Sequence, residues 1–420
     1  MRITTSPDAF GVDLDTINLF DPALYQEGDP HPIWKALRDR APVHWQQLPD
    51  GRGFWSITRY HDAALVLRDH ERFTSERGNL LYTLGRVDPA AGKMMTSMDP
   101  PRHDYIREPL AKALSQKELA KHEDGVRGAV RCFLAPLVDE QPYDMAAAAL
   151  LLPMAIIGPL LGIPEQDWLR LARATTGAVA PDDAKFQEGD AELTLASAHY
   201  ELFEYFSDLV RGADSTGLID VLRGIEIDGK PLELDEVVYN CYSVLLGANV
   251  TAPHVITGTL LALIERPESY AQLAERSAAA SAVEEGLRWS SPANHFMRYA
   301  VADVELHGAR IRAGDPLAVW MGSANRDEEV FNRPYHFDID RRPNRHLAFG
   351  FGRHYCVGAP MARLALNIVF TEITRLVERW ELAGPVEHMR SNFVAGITRL
   401  PVTATLRPGA AELLQQVRAG

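Results

Sequence analysis

The sequence predicts a mainly α-helical fold with small β-sheet regions, built as one large domain over residues 1–420. Three observations lead there. Between residues 101 and 285 the apolar spacing is mostly helical, with Gly, Pro and Asp marking the turns. Short strand-like runs lie only towards the two ends of the chain. No composition break, Gly/Ser-rich linker or repeat divides the chain, although length alone suggests two or three domains.

Taken in order, residues 43–46 and 53–58 read as strands and residues 61–69 as a helix. The run 145–161 is rich in Ala, Leu and Ile. Pro153, Gly158 and Pro159 interrupt it and it is too short to span a bilayer, so it reads as a buried helix. Residues 241–266 read as one long apolar helix, kinked at Pro253, whose missing N–H leaves the carbonyl of Asn249 without its helical partner. Strand-like runs return at 304–311 and 317–320. A Pro- and Arg-rich coil, 332–345, leads into a Gly-rich segment and then a helix over 357–380.

Composition narrows the function classes. With 46% hydrophobic and 24% charged residues, the chain matches an ordinary soluble globular protein. The first fifteen residues hold no apolar run able to act as a signal peptide or anchor. A formal net charge of −14 argues against nucleic acid or an anionic membrane as a partner. Cys132, Cys241 and Cys356 are too few and too scattered for a disulfide framework or a zinc site. Reduced thiols and a cytoplasmic location are the expectation.

Cys356 stands apart because of its neighbours, Phe349-Gly350-Phe351-Gly352-Arg353-His354-Tyr355-Cys356-Val357-Gly358. Gly350 and Gly352 permit tight turns and let the backbone approach a flat ligand. Cys356 precedes a helix with Pro360 in its first turn, where backbone N–H groups and the positive end of the helix dipole favour thiolate. Such a thiolate can ligate haem iron and push electron density toward a distal oxygen. Phe349 can pack near the sulfur and limit its access to water. The bland reading, a buried cysteine in a Gly-rich turn, would normally win for a lone Cys.

The whole string, continuing through Gly358-Ala359-Pro360-Met361-Ala362-Arg363, resembles the haem-binding loop of cytochrome P450 enzymes; Met361 stands where the family often has Leu. The resemblance implies haem b, with Cys356 as the metal ligand and Phe349, Gly350 and His354 as cofactor contacts. It extends along the chain. Glu285-Gly286-Leu287-Arg288 matches the family's E-x-x-R pair, whose side chains share a helix face; the candidate third member is Arg341. Asp99-Pro100-Pro101-Arg102-His103, followed by Arg107, resembles the start of the family's C helix. His103, Arg107, Arg298 and His354 then form a donor set for two haem propionates, since buried charge must be paired.

The long apolar helix resembles the family's oxygen-binding helix, through Gly247-Ala248-Asn249-Val250-Thr251-Ala252. Gly247 and Ala248 leave room for dioxygen and substrate, and Thr251 is the expected catalytic alcohol. The family's acid, which belongs to the proton relay, is replaced by Val250. Two substitutes arise: a water held by the freed Asn249 carbonyl, or His254, at i,i+4 from Val250, one turn away and on the same face. A structural, hydrogen-bonded His254 is the alternative. Asn249 itself should point away from the haem.

The resemblance implies a monooxygenase that activates O2 to oxidise, most simply to hydroxylate, a largely apolar small organic molecule or natural-product intermediate, free or carrier-tethered. No flavin or iron–sulfur segment accompanies it, so electrons come from a ferredoxin and its reductase. Arg102, Lys112, Lys117, Lys121, Arg341, Arg342, Arg345 and Arg353 form a candidate docking cluster. Substrate contacts are expected from residues 78–95, 168–193, the long apolar helix, 293–297 and 393–398, with Leu80, Leu81, Leu84, Met95, Asn294, His295, Phe296 and Phe393 as candidates. A coupling, rearrangement or peroxide-driven reaction stays open, as does a non-catalytic haem-thiolate sensor.

Overall fold

The computed structural model describes residues 7–212, 217–276 and 278–419. Helices dominate, and the strands gather in small sheets. The largest has five strands in the order Val43–Gln47, Gly53–Ile57, Pro316–Trp320, His295–Ala300, Phe73–Thr74. Its first pair is an antiparallel hairpin with Val43 opposite Ile57. Pro316–Trp320 then joins in parallel, Leu317 opposite Trp55, and pairs with His295–Ala300 in antiparallel register on its other side. This parallel pairing needs the whole helical middle of the chain as its crossover, as parallel strands require a long connection.

The long apolar helix is interrupted. It starts earlier than the sequence suggests, at Leu234, under a capping box in which Glu233 and Glu236 satisfy each other's backbone N–H. The first helix runs Leu234–Asn249 and a second Ala252–Ile264, with Pro253 in its first turn. Together they are the longest apolar helical stretch among the described residues, and the stretch is mostly buried, as a core helix is. The run 145–161 is likewise two pieces, Met145–Ala149 and Leu152–Leu161, packed into the interior.

Two sequence expectations are corrected at the ends of elements. Residues 304–311 form a hairpin, Val304–Leu306 with Ala309–Ile311, turned at His307 and Gly308, both at positive φ. The helix after Cys356 is Ala359–Leu376; Val377–Leu382 is a strand paired with Pro401–Leu406. β-Branched Val377 and aromatic Trp380 suit a strand, but a continuous apolar pattern hides the change of period. The strand His295–Ala300, buried at nearly every position, gave no alternation to read.

The helices Ala252–Ile264, Ala279–Ser290 and Ala359–Leu376 pack together in the largest core cluster. At their junction Glu285 and Arg288 are fully buried. Arg288 Nη2 and Nε donate to Glu285 at 2.7 and 2.8 Å, and Arg341 Nε donates to the same carboxylate at 3.0 Å. The backbone N–H of Asp338 and the Asn344 amide complete its shell, while Arg288 donates to the carbonyls of Asn325 and Pro334. A buried carboxylate with this many donors pins the coil before Cys356 onto the helix of the E-x-x-R pair.

Candidate haem-thiolate site

Cys356 lies between the short turn Gly352–His354 and the helix Ala359–Leu376. Its N–H donates to the Phe349 carbonyl at 2.8 Å, closing the loop. Gly350 and Gly352 adopt φ of +73° and +74°, the left-handed region that glycine tolerates. At Gly352 space is also limiting: a Cβ would come within 2.7 Å of the Arg68 Cα. Phe349 packs on Tyr355 and lies 4.6 Å beneath the Arg363 guanidinium.

The electrostatics of Cys356 differ in balance from the sequence expectation. Burial pushes the thiol above its ordinary value, against the Gly358 and Ala359 N–H groups and the charges of Arg107 and Arg363. The helix start does favour thiolate, yet desolvation outweighs it. A metal that coordinates a thiol removes its proton outright, so ligation rather than the local field would fix the thiolate.

Arg363 is held by Glu284, with Nε to Oε1 at 2.6 Å, and it donates to the Tyr355 hydroxyl at 2.9 Å. Burial raises the Glu284 pKa, but hydrogen bonds from Arg363 and His346 outweigh it and lower it from 4.5 to about 2. A carboxylate depressed in the folded state stabilises the fold above its unfolded pKa, and that contribution drains away as pH falls from about 4.5 towards 2. Glu284→Gln is therefore expected to flatten the acid limb of urea-midpoint-versus-pH curves in that window. An unchanged limb would remove Glu284 from acid stability.

Cys356 lines a cavity of about 270 Å³ whose opposite wall carries Gly247, Ala248, Val250 and Thr251. Thr251 sits at the helix break and donates its hydroxyl to the Gly247 carbonyl at 3.2 Å. His103, Arg107, His354 and Phe349 also line this cavity. The rings of His103 and His354 are 4.4 Å apart; His103 Nδ1 meets Asp104 and His354 Nε2 meets the Ser75 hydroxyl. Arg298 lies near His354, enclosed, and among the described residues its hydrogen bond is to the neighbouring Met297 carbonyl. Burial pushes it down to about 10, against the pull of Asp99.

These donors outnumber the acceptors around them. His103 Nε2 is buried without a partner, and burial together with Arg298, His103 and Arg107 holds His354 well below the ordinary imidazole range. Two arginines and two histidines gathered this closely call for buried anions. A soft sulfur ligand on one side and a donor set for carboxylates at the edge fit an iron porphyrin with two propionates.

The comparisons agree. The family described as Cytochrome P450 matches residues 271–390. Cytochrome P450 NovI from Streptomyces niveus is 36% identical over 413 residues, spanning 96% of this chain and 100% of that protein. The chain belongs to the cytochrome P450 family. Linalool 8-monooxygenase from Pseudomonas putida is 30% identical over 401 residues, covering 92% of this chain and 98% of its own. The crystal structure of P450 OxyD, involved in the biosynthesis of vancomycin-type antibiotics, superposes with a TM-score of 0.83 at 31% identity, covering 93% of this chain and all of that one. As a P450 this chain is a haem-iron oxidoreductase of the monooxygenase class, and bacterial P450s generally work with redox partner proteins on small-molecule substrates.

The structure places several expected residues elsewhere in this P450. His254 is the main correction. Val250 lines the haem cavity, but His254 faces a separate cavity with Gly396 and His388, and its Nδ1 accepts from the Ile397 N–H at 3.3 Å. The break at Val250–Thr251 falls between the two residues, so i,i+4 spacing no longer puts them on one face. Burial lowers His254 to about 4, leaving a neutral structural histidine. His254→Ala should leave product formed per NADH within about twofold while costing about 1–3 kcal/mol of stability for the orphaned Ile397 N–H. Coupling that collapses in the folded variant would return His254 to the proton path.

Asn249 points away, into contact with Met154 and Thr175. Leu80, Met95, Phe296 and Phe393 line the cavity, whereas Leu81 and Leu84 belong to the N-terminal core. Asn294 and His295 are tied into the sheet, where His295 Nε2 accepts from the Leu81 N–H and Asn294 donates to the Asn392 carbonyl. No residue of 168–193 lines the cavity; Met94, Tyr82 and Tyr242 do. Tyr242 was legible in principle, being on the same helix face as Leu246 and Val250. Among the docking candidates, Arg341 is spent on Glu285 and Arg102 pairs with Glu236. Lys112, Lys117, Lys121, Arg342, Arg345 and Arg353 remain exposed.

Proposed function

We propose that this P450 binds haem b through Cys356 and hydroxylates a largely apolar small organic molecule or natural-product intermediate, drawing electrons from a ferredoxin and its reductase. The observation that carries this reading is the one cavity that joins Cys356 to Gly247, Ala248 and Thr251 between mostly apolar walls. When bound, the haem supplies dioxygen activation. His103, Arg107, Arg298 and His354 hold its propionates. Phe349 shields the sulfur from water, and Thr251 holds a proton-donating water at the break in its helix.

The exposed cations Lys112, Lys117, Arg342 and Arg345 suit an acidic ferredoxin, and Arg341, Arg102, Arg353 and Lys121 leave that set because Glu285, Glu236, Asp104 and Glu118 already pair their charge. The relatives that carry an activity in their names are monooxygenases, which leaves the sensor alternative without support. Val250 in place of an acid favours one second reading, a coupling, rearrangement or peroxide-driven reaction, because such chemistry depends less on a protein acid delivering protons. Purified holoenzyme with a ferredoxin and ferredoxin reductase should consume NADH in a substrate-dependent way and yield product carrying one oxygen from 18O2. Turnover with hydrogen peroxide alone, or product without incorporated oxygen, would select the second reading.

A further inference from the structure

Two phenol groups on the cavity wall have no hydrogen-bond partner among the described residues. Tyr82, on the turn Leu81–Thr83, and Tyr242, on the helix Leu234–Asn249, both line it. Tyr242 is 4% exposed, and among the described residues no group hydrogen-bonds either hydroxyl. Both residues contribute to the cavity wall. Buried Tyr hydroxyls normally find a partner. Their aromatic surroundings hold them in place: His199 packs near both rings, at 6.5 and 5.8 Å, and Phe203 sits 4.9 Å from Tyr242.

The position of the pair sets a length. Tyr242 lies on the same helix face as Leu246 and Val250 and one and a half turns before Gly247, about 7.5 Å along the axis at 1.5 Å per residue. The wall between is apolar, with Leu80, Met95, Phe296 and Phe393.

Charge decides which polar group fits. Burial first, with Asp88 adding to it, opposes ionisation of both phenols, and an enclosed wall near a carboxylate likewise opposes a second carboxylate there. Asp88 does not line the cavity and is engaged by Ser97 and the Ala90 N–H, so it offers no direct contact to an ammonium. His199, whose pKa burial lowers, supplies no fixed cation.

We infer that Tyr82 and Tyr242 are specificity-determining residues that hydrogen-bond a neutral oxygen acceptor, a ketone or ester carbonyl, at the end of the substrate remote from the oxidised carbon. The inference rests on the haem-cavity reading of the proposed function. It commits the substrate class to elongated apolar molecules with a neutral carbonyl.

The test uses holoenzyme and four matched twelve-carbon probes: 2-dodecanone, dodecane, dodecanoate and dodecyltrimethylammonium, titrated by the Soret shift. 2-Dodecanone should bind about tenfold more tightly than dodecane, as two neutral hydrogen bonds allow. The double variant Tyr82→Phe/Tyr242→Phe should bring the two within about twofold and leave dodecane affinity unchanged, since Phe preserves the packing. Tightest binding of dodecanoate or of the ammonium probe, no ketone preference, a preference that survives in the double variant, or no binding of any probe would each overturn the inference. The reduced carbon monoxide spectrum is recorded on the same samples. If its red-shifted band is present, a failure falls on Tyr82 and Tyr242 alone; if it is absent, the haem-thiolate reading fails first.

Discussion

Cys356→Ala is expected to remove the red-shifted Soret band of the reduced carbon monoxide form and to cut product formation to that of free haem. The sulfur is the only thiol lining the cavity among the described residues. Alanine deletes it while keeping the backbone bond from residue 356 to the Phe349 carbonyl, so the loop keeps its closure. Cys241→Ala and Cys132→Ser serve as controls and should retain the band. Cys241 is buried away from the cavity with its thiol pushed up to about 12, and Cys132 is exposed. A Cys356→Ala protein that keeps the band would overturn the assignment of the iron ligand.

The second large effect is on stability. Glu285→Ala should cost about 3–5 kcal/mol, the range for removing one partner of a buried ion pair, because Arg288 and Arg341 are left charged with no carboxylate between them. Chemical denaturation of apo- and holoprotein reads this directly, and a loss below about 1 kcal/mol would sink the argument. Arg288→Ala should cost a similar amount by stranding the carboxylate. The pair should be non-additive: Glu285→Met with Arg288→Met is expected to cost less than the sum, since only Arg341 then keeps a charge that has lost its partner. Full recovery is not expected, because Arg288 also satisfies the carbonyls of Asn325 and Pro334. Haem uptake should fall with stability, as the same network anchors the coil that leads into the cysteine loop.

The cysteine loop was legible because each requirement is local. Positive φ at Gly350 and Gly352, a proline in the first turn of a helix and a thiol at its start are encoded within a dozen residues. The E-x-x-R pair was legible for the same reason, and Arg341 joins it as expected. The propionate donors were legible only as scattered residues on matching motifs. Their convergence on one unpaired cluster rests on the packing of the Arg102–Ala113 helix against the turn before Cys356.

Other features were out of reach of pattern reading. Helical periodicity assumes an unbroken helix, and the interruption at Val250–Thr251 rotates His254 away from the cavity that Val250 lines. A charge count treats every arginine on a motif as surface, yet Arg102 is paired with Glu236, a carboxylate 134 positions later in the chain. Tyr82 and Tyr242 lie on separate elements, and no spacing rule joins a loop tyrosine to a helix tyrosine.

By itself, the sequence determined the Gly-rich cysteine loop, the helical fold class and the E-x-x-R pair, all of which follow from contacts within a turn or a motif. Only the tertiary structure decided which face of the broken helix looks at the cavity and which cations stay free at the surface. The two unpartnered hydroxyls that wait for a substrate belong to the same group. Each depends on how distant elements pack, and burial and pairing at such contacts are set by the whole fold rather than by neighbours along the chain.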